Sequence, residues 1–156
     1  MVAAINAMAI GAYGLGCPVV GAITGHAIAG GLVLAPCTDM RVASTAGRYG
    51  LTEAKVGVAY PQAAIAVTRA ELAPHAARAL ALGSRLIDAV ECRRLGVFDE
   101  LLEPEAVLPR ATELARELAA FPGDAYQRTK RDLRGRALER MRVAAADDPL
   151  LAHWIT

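Results

Sequence analysis

A glycine-rich turn is the first feature of this sequence that could do chemistry. The segment Gly25–Gly31 follows a short apolar run rich in β-branched residues, Pro18–Thr24, and leads into further apolar sequence. Glycine lets a ligand approach the backbone without a Cβ in the way, and the first N–H groups of a helix beginning here would lack intrahelical partners. Such groups stabilise a carbonyl oxygen that gains negative charge. Glycine-rich turns without a ligand are common, however, so the pattern by itself favours a plain strand-to-helix turn.

Other catalytic arrangements are poorly represented. Cys37 with His26 suggests a thiol nucleophile, but no third group is evident to orient the histidine. The three cysteines are widely spaced and form no CxxC pair, so we expect no metal site and interpret each cysteine as a small buried side chain in a reducing compartment. The sequence contains no GxSxG elbow, Walker loop or dinucleotide fingerprint.

Composition limits the partners that this chain could have. It has 156 residues, of which 54% are hydrophobic and 4% aromatic, and its net charge is +1. This length and apolar content suffice for one domain with a packed core. The weak charge and the scarcity of aromatic rings argue against binding to nucleic acid.

The amino-terminal part of the chain carries no charged side chain before Asp39. This run is long enough to span a bilayer, and Gly21 and Gly25 have the spacing found in membrane-helix dimers. Pro18, the many glycines and the lack of flanking Lys or Arg argue against a span, and a secretory signal would need a basic residue near Met1. We therefore expect a cytoplasmic protein without membrane contact, and a membrane-associated small protein stays the third alternative.

The remaining pattern predicts the elements that position the turn. Short apolar or alternating runs predict strands at Pro18–Thr24, Asp39–Ser44, Arg48–Leu51 and Val97–Leu102. Periodicity and capping predict helices at 2–15, Gly31–Cys37, Gln62–Leu72, Pro74–Leu82, Asp88–Leu95, Ala106–Phe121 and Asp124–Met141. Strands fill the first part and helices the second, so the fold class is α/β with a helical C-terminal region.

Two of the predicted helices have details that a structure can check. In Ala106–Phe121 the apolar residues fall on one face, which ends with Phe121, and Pro109 fits only the first turn. In Asp124–Met141, Gly135 is a candidate break.

Several motifs occur in the order in which the crotonase (enoyl-CoA hydratase/isomerase) superfamily has them. PVVGAITGHAIAGGLVLAPCTDMRVA resembles the family signature of a strand, a glycine turn, a short helix and Asp-x-Arg-x-Ala. RYGLTEAKVGVAYP resembles the following Phe/Tyr-Gly-x-x-Glu segment, and ARALALGSRLIDAVECRRLGVFDELL and PGDAYQRTKRDLR resemble later helices. The resemblance runs from about Cys17 to Arg134 and is more specific than any single motif.

The resemblance implies a fold, a substrate class and an assembly. The fold would be a truncated crotonase-like (ClpP/crotonase) spiral, with a partial β/α core at 1–97 and a helical oligomerisation region at 98–156. The substrate would be an acyl-CoA thioester, and no separate cofactor is expected because coenzyme A is part of the substrate. The expected assembly is a homotrimer or a hexamer.

The resemblance also implies site residues, one position at a time. Gly30 matches the glycine whose backbone N–H is one donor to the thioester carbonyl oxygen as the substrate polarises toward an enolate. Glu53 matches the glutamate that moves a proton at a carbon near the thioester. The same motifs imply substrate-binding roles for His26, Ala27, Ala29, Gly31, Tyr60 and Pro61.

Some of these positions have simpler explanations. His26 would line the coenzyme A pocket or, as we favour, pack and hydrogen-bond to the backbone. Tyr60 and Pro61 would form a wall of the acyl pocket or merely pack within their loop.

The last predicted helix carries a basic cluster of Arg128, Lys130 and Arg131. This cluster would contact coenzyme A phosphates or lie on a solvated helix face, and we favour the second. His75 and His153 are expected at the surface.

Two departures from the family pattern shape the expected activity. Val33 stands where two-glutamate hydratases carry a second glutamate, so the residues favour isomerase-like proton transfer over hydration. The family's preceding segment, which supplies the other oxyanion donor and much of the nucleotide pocket, has no counterpart before Met1. The alternative is therefore a catalytically inactive binding or oligomerisation module. We also expect the apolar face of residues 1–37 to drive self-association.

Overall fold

The computed structural model describes residues 1–152, so His153 lies outside the described part. Seven α-helices are described: α1 Val2–Tyr13, α2 Gly30–Leu34, α3 Gln62–Glu71, α4 Pro74–Ala77, α5 Ala89–Arg94, α6 Pro104–Ala119 and α7 Gly123–Ala146. The described strands are β1 Val20–Ile23, β2 Ala27–Ile28, β3 Met40–Ser44, β4 Tyr49–Gly50 and β5 Glu100–Leu102. Shorter 3₁₀ turns occupy Ala35–Cys37, Ala54–Val56 and Pro149–Leu151, and a π-helical turn occupies Arg78–Leu82.

The strands form two small parallel sheets. The first has the order β1-β3-β5, with Gly21 opposite Arg41 and Val42 opposite Glu100. The second pairs β2 with β4. Parallel neighbours need crossover connections, and the segments between the paired strands supply them.

Helices cover both faces of the three-stranded sheet. On one face, Val107, Ala111 and Leu114 of α6 pack against Val42. A larger core lies on the other side and includes residues of α1, α2, α3 and α5. Within it the rings of Tyr49 and Phe98 meet edge to face with their centroids 4.7 Å apart, a favourable geometry for aromatic pairs. This layering confirms the predicted α/β class.

The two long C-terminal helices pack against the first part of the chain. Helix α6 contacts β1 and β3, and α7 contacts α1 and α3. The division of the chain near residue 97 stays a prediction. Within residues 1–152, no helix is long and apolar enough to cross a membrane.

The glycine turn differs from its prediction. Ala27 and Ile28 form a strand because β4 lies beside them, and the following helix begins at Gly30, one residue early. This helix ends at Leu34 instead of Cys37. Pro36 lies in the 3₁₀ turn that follows, and it has no N–H to continue the α-helical bonding.

The C-terminal helices also differ in detail. Because α6 begins at Pro104, Pro109 lies inside the helix and not in its first turn. Because the same helix ends at Ala119, Phe121 lies beyond it and is 54% exposed, so its predicted place on the buried face is wrong. Helix α7 continues through Gly135, which is not a break, since packing against α1 and α3 supports it.

Candidate active site

Gly30 lies where two consecutive N–H groups are left without partners. The N–H of Ala29 donates to Gly50 O (2.8 Å), and the Ala29 carbonyl accepts from Leu32 and Val33 at 2.9 and 3.1 Å. Within residues 1–152, the N–H groups of Gly30 and Gly31 are paired with no acceptor. A Cβ placed on Gly30 would meet no atom within 4 Å. The amide of Gly30 is therefore a free donor with open space beside its residue.

An unusual backbone conformation at Ala29 produces this arrangement. Its φ is 54° and its ψ is −128°, a region that residues with a Cβ rarely occupy. Strain of this kind costs about 1–3 kcal/mol and collects at functional sites. The hydrogen bonds made by the Ala29 N–H and carbonyl hold the residue in place.

The pairing of β2 with β4 brings the segment that carries Glu53 beside Gly30. Ala27 lies opposite Tyr49, and Ile28 lies opposite Gly50. Gly30 and Glu53 each follow the carboxyl end of one of these parallel strands, which is where α/β folds place ligand sites. The three residues from Gly50 to Glu53 span at most about 11 Å. The two predicted catalytic groups therefore share one end of the small sheet.

Glu53 begins a tight loop that its own carbonyl oxygen stabilises. Val56 N–H and Val58 N–H both donate to Glu53 O at 3.0 Å, and Gly57 takes the left-handed conformation that the turn requires, with φ 76°. The side chain is half-buried. Its Oε2 atom is fully buried and has no hydrogen-bond partner in the described part of the chain.

The hydroxyl of Tyr60 is the second buried oxygen of this loop without a partner. Burial raises the pKa of the phenol, and the negative charge of Glu53 raises it further. A contact of the phenol with the Glu53 carboxylate also raises this pKa, but no partner of the Tyr60 hydroxyl meets the distance and angle of a hydrogen bond.

Ser84 lies next to this pair and was missed in the sequence analysis. It is buried, and its Oγ donates to Ala81 O (3.1 Å). A contact of the Ser84 hydroxyl with the Tyr60 phenol lowers the pKa of that phenol, against the larger effect of burial. Its φ of 45° is a conformation that serine seldom adopts. It follows the π-helical turn Arg78–Leu82, a feature often found at functional sites. The residue types around Ser84 give no signal of this placement.

The predicted binding residues divide into separate places. His26, Ala27 and Gly31 line a cleft of about 330 Å³ beside β1. Tyr60 lies on the Glu53 loop, and Pro61 is buried at the start of α3. Ala29, the remaining member of the predicted set, lies in the glycine turn, where both its N–H and its carbonyl oxygen make hydrogen bonds.

The environment of His26 argues against a nucleophilic thiol. The imidazole is exposed, and its Nδ1 accepts a hydrogen bond from Arg48 N–H at 2.9 Å, so the neutral ring carries its proton on Nε2. Cys37 is fully buried, and burial raises the pKa of its thiol to about 12. Its Sγ donates to Val33 O at 3.4 Å. A thiol that stays protonated in the core cannot serve as a nucleophile at neutral pH.

The position that would hold a second glutamate belongs to the core. Val33 is 2% exposed and packs in the larger hydrophobic cluster. No group of three or more His, Cys, Asp or Glu side chains within residues 1–152 could hold a metal ion.

Lys130 has a different environment from either one predicted for it. Its Nζ donates to Asp39 Oδ2 at 2.8 Å and to Cys17 O at 2.9 Å, and the side chain is buried. Arg134 reaches the other oxygen of Asp39 at 2.8 Å. The solvated-face interpretation is therefore wrong for Lys130, because the buried Asp39 draws its charge inward. Arg128, which is 77% exposed, does lie in solvent.

Comparison with known proteins gives consistent matches over most of the chain. Residues 4–153 match the family model described as Enoyl-CoA hydratase/isomerase. The chain is 35% identical over 114 residues to an (E)-benzylidenesuccinyl-CoA hydratase of Thauera aromatica and 34% identical over 113 residues to a putative enoyl-CoA hydratase of Thermus thermophilus. Each alignment covers 72% of this chain and 44% of the relative, so the chain spans less than half the length of these relatives.

Solved structures agree with this result. An enoyl-CoA hydratase of Mycobacterium marinum superposes with a TM-score of 0.90 at 33% identity, covering 98% of this chain and 67% of that one. An enoyl-CoA isomerase of Mycobacterium tuberculosis superposes with a TM-score of 0.89 at 32% identity, covering 97% and 66%. A structure named as a hydratase and a structure named as an isomerase are thus about equally similar to this chain.

Proposed function

This chain belongs to the enoyl-CoA hydratase/isomerase family, and from that premise we propose that it acts on an acyl-CoA thioester through a stabilised enolate. The observation that carries the proposal is the placement of two groups at one end of the β2–β4 pair. One is the unpaired N–H of Gly30, and the other is the carboxylate of Glu53. An acyl-CoA supplies its own coenzyme A, so the proposed reaction needs no separate cofactor.

Each group has one task in the proposed reaction. The Gly30 N–H donates to the thioester carbonyl oxygen, and this bond strengthens as the oxygen gains charge. Glu53 takes a proton from the carbon beside the carbonyl, and the electrons of the broken C–H bond move into the enolate. Losing one donor to such an oxygen costs about 3–4 kcal/mol of transition-state stabilisation.

We further propose that the chemistry is closer to isomerisation than to hydration. Hydration needs one group to position water and another to handle the proton, and Val33 offers no carboxylate for the first task. Isomerisation needs a single base that removes a proton from one carbon and returns it to another on the same acyl chain. Glu53 suffices for that sequence of steps.

Assembly and location are also part of the proposal. The proposed assembly is a homotrimer or hexamer. Apolar side chains such as Met8, Leu15 and Ile28 are exposed on the charge-free first part of the chain, and they support self-association without setting the number of subunits. Cys37 and Cys92 are buried, but Cys17 is exposed, so its predicted burial is wrong. All three are free thiols, which supports the proposed cytoplasmic location.

The deciding experiment measures exchange of the C2 hydrogens of butyryl-CoA with deuterated water, followed by NMR. We expect exchange by the chain and its loss in Glu53→Gln, which keeps the shape of the side chain but removes the base. Glu105→Gln, an exposed change on α6, serves as the matched control and should exchange at the unmodified rate.

Two outcomes would change the conclusion. Equal background exchange by the chain and by Glu53→Gln favours the inactive binding module. Faster hydration of a 2-enoyl-CoA than isomerisation of a 3-enoyl-CoA would reverse the preference between the two reactions.

A further inference from the structure

Two buried oxygen atoms without hydrogen-bond partners lie in the same loop. They are Glu53 Oε2 and the Tyr60 hydroxyl, and among the described side chains the only other such atoms are two nitrogens of Arg41. A buried polar atom left unpaired is costly, and native proteins rarely keep one without a reason. Two buried oxygens of one loop that are complementary as donor and acceptor and yet unpaired therefore need an explanation.

The carboxylate of Glu53 has two unlike oxygens. Oε2 is buried and has no hydrogen-bond partner among residues 1–152, whereas Oε1 is not among the buried unpaired atoms. The two oxygens of the half-buried carboxylate therefore have different environments, and Oε2 is the one in the interior. A base that must accept a proton from a substrate carbon needs this kind of asymmetry, because only the accessible oxygen can reach the substrate.

The backbone around Tyr60 is well held. The bond from Val58 N–H to Glu53 O closes the loop that joins the two residues. Pro61 is buried and immediately precedes α3. Ser84, in its strained conformation, borders the phenol from another segment. The backbone therefore keeps Glu53 and Tyr60 on one closed loop.

We propose that Tyr60 is a positioning residue for Glu53, whose hydroxyl donates a hydrogen bond to Oε2 once a thioester is bound. This inference rests on the proposed function. Hydrogen bonds between catalytic groups are often long or misaligned without substrate and tighten in the complex. The bond holds Oε2 inward and leaves Oε1 as the atom that takes and returns the proton.

The proton balance of this step is simple. The C2–H bond of the substrate breaks, an O–H bond forms on Oε1, and the electron pair moves to the thioester oxygen beside the Gly30 N–H. The O–H bond of Tyr60 stays intact throughout. Return of the proton from Oε1 to carbon restores the carboxylate, and the hydrogen bond from Tyr60 to Oε2 is kept in every step.

The test uses the butyryl-CoA exchange assay with the chain, Tyr60→Phe, Glu53→Gln and the double variant. We expect Tyr60→Phe to lower the maximal exchange rate about tenfold or more, with little change in the half-saturating concentration. The double variant should exchange no more slowly than Glu53→Gln, because Tyr60 acts only through Glu53.

Thermal unfolding supplies a measurement that does not depend on turnover. Removing an unpaired hydroxyl should leave the Tm of Tyr60→Phe unchanged or higher. Tyr49→Phe is the matched control, because its buried hydroxyl donates to Ser44 O and its loss leaves that carbonyl unpaired. We expect Tyr49→Phe to lower the Tm but to leave the butyryl-CoA exchange rate per folded molecule unchanged.

The possible failures are distinguishable. If Glu53→Gln abolishes exchange but Tyr60→Phe matches the unmodified chain, the role of Tyr60 is overturned and the proposed function stands. A Tm lowered by Tyr60→Phe as much as by Tyr49→Phe, with normal exchange, would assign Tyr60 a purely structural role. If the unmodified chain and Glu53→Gln exchange equally, the proposed function fails and takes this inference with it.

Discussion

The N–H of Ala29 donates a 2.8 Å hydrogen bond to the carbonyl oxygen of Gly50. Gly30 follows the donor by one residue, and Glu53 follows the acceptor by three. This bond therefore joins the two segments on which the proposed chemistry depends, and it helps to hold Ala29 at a φ of 54°.

The free amide of Gly30 leads to a first prediction. Gly30→Ala should fold normally, because the added Cβ meets no atom within 4 Å, and the free energy of unfolding should stay equal or rise by up to about 1 kcal/mol. The same methyl group would obstruct a substrate oxygen approaching the N–H. We expect butyryl-CoA exchange to fall about 100-fold, measured alongside chemical denaturation.

Gly135→Ala is the control for this change. Gly135 also has open space beside it, but it lies in the interior of α7. This variant should gain about 1 kcal/mol of stability and keep its exchange rate. Full exchange by Gly30→Ala would remove Gly30 from the site.

The buried ion pair of Lys130 with Asp39 gives a second prediction. Lys130→Met leaves the Asp39 carboxylate with fewer partners in a site where both side chains are about nine-tenths buried. Breaking such a pair from one side costs about 3–5 kcal/mol, reduced here because Arg134, Tyr126 and the Val19 N–H still contact Asp39. Denaturant titration measures the loss.

Arg128→Met is the matched control on the same helix. Arg128 is 77% exposed and its contact with Asp132 is 3.7 Å long. The free energy of unfolding should change by less than about 0.5 kcal/mol. Equal losses for the two variants would contradict the difference in burial between Lys130 and Arg128.

The third prediction concerns the pH dependence of stability at Asp148. Burial raises the pKa of this carboxyl, but hydrogen bonds from Asn6, Gln62 and Leu150 outweigh it, so the pKa is lowered. A lowered folded pKa contributes stability that is present above the unfolded value of about 3.9 and is lost as the pH falls through the folded value. Asp148→Asn should therefore be less stable than the unmodified chain at neutral pH. The gap should close on acidification below pH ~4, and a gap that widens in acid would contradict this account.

Self-association is the fourth prediction. Met8 and Leu15 are 39% and 47% exposed on the uncharged first part of the chain. Sedimentation velocity without detergent should show association that increases with concentration and weakens in Leu15→Lys. Val90→Lys, at a position 72% exposed on α5, should leave association unchanged. A monodisperse monomer would oppose the prediction.

The family and the α/β class could be read from the sequence because ordered motifs and long periodic segments carry that information. The short strand β2 could not, since Ala27–Ile28 has no strand pattern of its own and forms only because Tyr49–Gly50 lies beside it. The assigned roles of Gly30 and Glu53 stay predictions. Their common location depends on the same pairing.

Lys130 and Ser84 illustrate what local patterns omit. A lysine among arginines on a helix is ordinarily solvated, and the carboxylate that draws Lys130 inward is 91 residues away in sequence. The positive φ of Ser84 arises from the turn that follows a π-helical segment. Neither property can be deduced from neighbouring residues, because both come from tertiary packing.

The start of α3 is held by residues from opposite ends of the described chain. Asp148 accepts from Gln62 N–H at 2.8 Å, Asn6 accepts from Ala63 N–H at 3.0 Å, and Asn6 also donates to Asp148 at 2.8 Å. These bonds close a loop of 142 residues between Asn6 and Asp148. Fraying of either end therefore exposes the same helix start, so amide protons of α1, α3 and the last turn should exchange together, as one cooperative unit.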